Sequence, residues 1–218
     1  MDPLFSRLAM TGASAMLLCA LAVLWRRHVP AYIGALQWQS IALGLVGVLV
    51  AWRAHVHELF LVAAMILVFK GIAVPLILRR MESRFAAEKE QQPLVNTEVS
   101  LLISGCLAVA AYEVSRPLAA VVTLPTRGGL PLALALILVS LFVVVSRRKA
   151  LTQIIGFLML ENGIALLALL GAYGVPLVIE LGVFLDVLLG VLVMQVLVYR
   201  IHETFDSIDV EQLNRLKH

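Results

Sequence analysis

Seven apolar runs, most of them close to twenty residues long, constrain this chain more than any other feature. They cover about 7–25, 31–52, 58–78, 98–123, 129–146, 151–171 and 175–199. A helix crosses the hydrocarbon of a bilayer with roughly 20 mainly apolar residues. In lipid, moreover, only structures that satisfy every backbone polar group internally can span. The runs predict an all-α polytopic membrane helix bundle of about seven transmembrane helices. Composition agrees: 61% of the 218 residues are hydrophobic and 14% charged, against about 45–50% and a quarter in soluble domains. No segment is long or polar enough to form an independent soluble domain.

Basic and turn-forming residues separate the runs: Arg26-Arg27-His28 with Pro30, Arg53 to His57, Arg79-Arg80, Thr126 to Gly129, Arg147-Arg148-Lys149, and Gly171 to Pro176. The longest connection, 79–97, is charged and divides the chain. Residues 1–97 form a three-helix front portion that includes this cytoplasmic loop. Residues 98–128 supply a fourth helix and linker, and 129–218 a second three-helix bundle with a polar cytoplasmic tail. Residues 8–25 resemble a signal peptide only superficially. Arg7 is balanced by Asp2, and the stronger positive cluster follows the run, as expected of an uncleaved first span.

Cytoplasmic loops of membrane proteins are enriched in Lys and Arg. With the N-terminus outside, the inner segments hold Arg26, Arg27, Arg79, Arg80, Arg84, Lys89, Arg147, Arg148, Lys149, Arg200, Arg215 and Lys217. The outer segments hold only Arg7, Arg53, Arg116 and Arg127. The bias predicts an N-out, C-in arrangement, and accounts for the net charge of +3 without an anionic partner such as nucleic acid.

Against this apolar background a few charges stand out. An ionisable side chain at bilayer depth costs at least about 2.5–3.5 kcal/mol, so it is a functional-site hypothesis by default. At a rise of ~1.5 Å per residue, Glu161 lies about 18 Å beyond Lys149 and Asp186 about 21 Å before Arg200. Lys70 lies about 14 Å before Arg79 by the same rise, with Pro75 shortly after it. All three fall near the middle of the membrane, on the third, sixth and seventh helices. Glu113 is a fourth candidate, about 22 Å beyond Glu98 by that rise, with Arg116 on the same face to pair with it. Pro117 follows and is a candidate helix end. Asn162 adjoins Glu161, while Gly182 and Gly190 flank Asp186 on one helical face, leaving room for a neighbouring helix or water. Burial disfavours charge on a carboxylate and a nearby ammonium favours it. That balance suits a group that exchanges a proton; the alternative is a polar clamp between helices.

Other chemistries find little support. Cys19 and Cys106 have no metal-ligand or CxxC spacing and read as small packing residues. The histidines (His28, His55, His57, His202 and His218) all fall in loops or the tail, where axial haem ligation within a span is impossible. No metal, cofactor or catalytic residue is expected.

The stretches SRRKALTQIIGFLMLENGIALLAL (146–169) and LDVLLGVLVMQVLVYRIHETFDSIDVEQL (185–213) resemble the three-helix NuoK-like subunits of respiratory complex I. That family includes the C subunit of Mrp-type cation/proton antiporters. The similarity covers roughly 129–213, and with the front spans and the Leu160-Glu161-Asn162 motif the chain most resembles the hydrogenase-4 component E (HyfE) family. The resemblance implies a non-catalytic subunit in the membrane arm of an energy-converting, formate hydrogenlyase-like hydrogenase of a bacterial inner membrane. Its neighbours there would be antiporter-like subunits and a quinone-subunit-like anchor, with the hydrogenase peripheral arm in indirect contact. Nickel–iron and iron–sulfur chemistry would belong to those other subunits, because it needs clustered cysteines. NuoK-like proteins carry a glutamate implicated in proton translocation in each of their last two helices. Alignment on Gly190 places the second of these at Asp186. Alignment on Arg147, Arg148 and Gly156 places the first at Leu158, three residues before Glu161 and so on nearly the same helical face. Lys70 and Glu113 have no counterpart in that family.

Overall fold

The computed structural model describes residues 3–26, 28–85, 95–121 and 126–172, all within the first of the two units into which the chain divides, Met1–Glu180. Among the described residues the fold is entirely helical. Helix α1 is Pro3–Trp25 and α2 is Val29–Ala54. Helix α3 begins as His57–Met65, passes through a π-helical stretch Ile66–Ala73 and resumes as Val74–Phe85. Then come α4, Thr97–Val121, a single 3₁₀ turn Arg127–Gly129, α5, Leu130–Ser146, and α6, Ala150–Ala172.

Six helices are long and apolar enough to cross a membrane, and they coincide with the first six predicted spans. The seventh, 175–199, lies outside the described residues together with Asp186, Gly182, Gly190 and the polar tail.

The structure departs from the sequence expectation in two places, the end of α3 and Cys106. Helix α3 continues to Phe85, seven residues into the segment expected to be a loop, because Arg, Met and Glu favour helix even where hydropathy ends. Helix α4 runs through Pro117 to Val121, in line with the apolar run 98–123 and not with a helix end at Pro117. Proline is more frequent in membrane-spanning helices than in soluble ones, and α4 continues for four residues beyond it. Finally, Cys106 is exposed on α4, whereas the sequence suggested a packed position.

Helix α2 is the hub. Its buried residues, among them Tyr32, Leu36, Gln39, Leu43, Val46 and Val50, form one broad face, while Trp38, Leu45 and Trp52 lie exposed on the opposite side, and α2 packs against α1, α3 and α6. Small residues bring these helices together, as expected where lipid removes the hydrophobic drive for association. In α1, Ala9, Ala13, Met16, Ala20 and Val23 form one fully buried stripe. On α6, Gly156 and Gly163 lie two turns apart on one face. A Cβ at Gly163 would lie 3.2 Å from the Ile137 backbone nitrogen, and one at Gly156 3.1 Å from that of Val144. Side chains there would hold α5 away. Helix α2 ends at His55, which adopts the left-handed region (φ 57°) and lets the chain reverse directly into α3.

Candidate functional site

Two of the charges expected at mid-membrane depth meet. Lys70 Nζ on α3 lies 3.1 Å from Glu161 Oε1 on α6, with side-chain exposures of 15% and 3%. The pair sits where the local backbone is unusual. Lys70 falls within the π-helical stretch, a geometry often found at functional sites. Pro75 follows and has no N–H to give to the preceding turn. In α-helical register that donor would serve the Gly71 carbonyl, which instead accepts a hydrogen bond from Gln37 Nε2 of α2 at 3.2 Å. Gln37 Oε1 in turn accepts from Arg79 Nη2 at 3.0 Å.

Next to Glu161, the fully buried Asn162 donates from Nδ2 to Gln39 Oε1 at 3.1 Å and to Ser40 Oγ at 3.0 Å, both on α2. Gln39 Nε2 continues the chain to the Met16 carbonyl of α1 at 3.3 Å. The amide orientations are assigned from this bonding pattern. Asn162 Oδ1 has no hydrogen-bond partner among the described residues although it is shielded from solvent. Polar side chains and backbone groups from α1, α2, α3 and α6 thus converge inside an otherwise apolar bundle.

This arrangement has one evident chemical capability. A lysine ammonium and a carboxylate at hydrogen-bonding distance differ from their neutral forms only by one proton moved between them, and a low-dielectric setting narrows the gap between the two states. The neighbouring amides and the Ser40 hydroxyl can orient such a group.

Of the other residues expected to contribute, Glu113 stands apart. It is 59% exposed on α4 and paired with Arg116 at 3.1 Å. Asp186, Gly182 and Gly190 lie outside the described residues. Among the described residues there is no cluster of three or more His, Cys, Asp or Glu side chains. Sequence reasoning missed Gln37, Gln39 and Ser40. Their signal was the polar triplet in Leu36-Gln37-Trp38-Gln39-Ser40, which lies inside an apolar run but carries no charge to mark it.

No protein-family model matches the chain, and no solved structure matches it. An uncharacterized protein of Mycobacterium tuberculosis is 37% identical over 214 residues, which cover 98% of this chain and 97% of that one. Hydrogenase-4 component E of Escherichia coli is 28% identical over 209 residues, 94% of this chain and 95% of that protein. The same component of Shigella flexneri matches to the same extent.

Proposed function

The chain belongs to the family of the mycobacterial protein, and from that premise we propose that it is a membrane-arm subunit of an energy-converting, hydrogenase-4 or formate hydrogenlyase-like complex, contributing mid-membrane carboxylates to proton (or Na⁺) translocation. The end-to-end likeness to hydrogenase-4 component E supports the setting, and the six membrane-length helices fit it. The observation that carries the reading is the Lys70–Glu161 pair, at 3.1 Å with Glu161 3% exposed.

In this reading a proton reaching Lys70 passes to Glu161, and Asp186 of the seventh span continues the path, with Gly182 and Gly190 making room beside it. The NuoK-like pattern of the last three spans motivates the role of Asp186, and that of Glu161 by equivalence of face. Glu113 serves as a peripheral acid near the α4 end. The chain lies N-out and C-in in a bacterial inner membrane, beside antiporter-like subunits and a quinone-subunit-like anchor. It has no redox chemistry of its own. An Mrp-type antiporter is the competing assembly.

A second reading has an observation of its own. The bonds from Asn162 to Gln39 and Ser40 join α6 to α2 as a polar clamp would, and a purely structural subunit needs no more. Isolation of the complex through a tag on this chain, followed by proton-translocation assays, separates these readings. We expect hydrogenase large and small subunits to co-purify, and Glu161→Gln and Asp186→Asn to assemble normally while losing coupled proton movement. Unchanged translocation in both variants and in the double variant would leave only the clamp. Recovery of an antiporter assembly without hydrogenase subunits would overturn the setting.

A further inference from the structure

We propose that the end of the bundle where the α1–α2 and α5–α6 turns meet binds the phosphate headgroup of an anionic phospholipid. The two basic turns, Arg26-Arg27-His28 and Arg147-Arg148-Lys149, lie about 120 residues apart in sequence. The fold joins them through Arg147. Arg147 is 5% exposed, and its guanidinium donates from Nη2 to the Val23 carbonyl at 2.8 Å and lies 5.2 Å over the Tyr32 ring. Tyr32 Oη then donates to the Arg26 carbonyl at 2.7 Å. A cation at the last turn of α1 is favoured by the helix dipole, so Arg147 fixes the place where both turns emerge.

That lock leaves much of the positive charge available. Arg26, His28 and Arg148 are exposed around it. Helices α2 and α6 both begin here, and α2 has no side-chain cap at its first turn, so its N-terminal N–H groups add to the positive potential. Arg147 Nε is shielded from solvent and has no acceptor among the described residues. A buried donor in that condition costs stability, and a phosphate oxygen entering between the turns would satisfy it.

Free phosphate shares this chemistry, but the surroundings select a lipid. Trp25, 69% exposed, stands beside Arg26 at the depth where interfacial tryptophans reside. Exposed Leu18 lies two turns behind it on the same face of α1, and Leu141 and Val145 form a matching exposed pair on α5. Both apolar strips lead away from the basic turns, as acyl chains would. Basic pockets between spans on the inner side are where anionic headgroups bind, and the loop-charge bias assigns this end to the inside. A topological role alone requires the charges and neither the Arg147 lock nor the apolar strips. The inference is independent of what Glu161 does.

The test titrates the full-length chain, in neutral detergent, with dioleoyl-phosphatidylglycerol, dioleoyl-phosphatidylcholine or inorganic phosphate, with bound ligand resolved by native mass spectrometry. We expect phosphatidylglycerol to bind at least tenfold more tightly than phosphatidylcholine. Arg26→Gln with Arg148→Gln should bring the two lipids within twofold, and the corresponding double lysine variant should keep most of the preference. Arg53→Gln, at the other end of α2, should leave it unchanged. If the double glutamine variant loses helicity, each single variant carries the test with an expected loss of at least threefold. Equal affinity for both lipids in the parent would overturn the proposal. So would inorganic phosphate displacing phosphatidylglycerol at equal concentration, or Arg53→Gln erasing the preference as fully as the double variant.

Discussion

Glu161 is held in an apolar interior by an ammonium from one helix, beside an amide clamp to another. A buried ion pair has a large desolvation cost, which its mutual attraction offsets only while both partners are present. Lys70→Met should therefore destabilise the chain by about 3–5 kcal/mol, since it strands a buried carboxylate. Adding Glu161→Leu should recover most of that loss. Thermal unfolding in detergent reads both, and a Lys70→Met variant as stable as the parent would contradict the pairing. The clamp should be weaker: interhelical hydrogen bonds in membranes average about 0.6 kcal/mol in double-mutant cycles. A cycle of Asn162→Ala with Ser40→Ala should show coupling of that order, and a coupling of zero would mean the bond is not formed. At this scale the sequence was informative where a rule was broken. Lys70 and Glu161 stood out because lipid penalises charge, and rise per residue put them at similar depth. Gln39 and Ser40 did not stand out, because a neutral amide or hydroxyl barely alters an apolar run, and their purpose is visible only once Asn162 is packed against them.

The six described helices were legible almost to their ends apart from the polar end of α3, since the thickness of the hydrocarbon dictates the length of each apolar run. The run 151–171, for example, became Ala150–Ala172. Prediction failed where hydropathy and helix formation part company, as in the polar end of α3. The π-helical stretch of α3 was not legible either. Pro75 hinted at an irregular backbone, but the extra residue in the turn around Lys70 depends on how α3 meets α2. The packing of α6 on α5 was only partly readable. Gly156 and Gly163 are two turns apart in sequence, whereas the identity of their partner helix required the fold. Gly163→Val would drive a side chain against Ile137, and overpacking of this kind costs about 1–3 kcal/mol. Its melting temperature should fall below that of the parent, and an unchanged or higher value would show that α5 yields freely at this contact.

For the molecule as a whole, the polar side chains of the described residues are sorted by position. Lys70, Glu161, Asn162, Gln39 and Ser40 lie inside the bundle, and the basic turns gather at one end. The exposed faces of α3 and α4 carry large apolar residues such as Leu61, Phe69, Leu102 and Val109. A carboxylate that is buried against Lys70 of another helix, and not displayed on an outer face, suits a group that takes its proton from a neighbour within the membrane. Sealed inverted vesicles carrying the assembled complex test that claim most directly, with hydrogen turnover and proton uptake recorded together for the parent and for Glu161→Gln. The account predicts that the variant assembles and turns over hydrogen while the protons moved per turnover fall at least tenfold. An unchanged ratio in a fully assembled Glu161→Gln complex would contradict it.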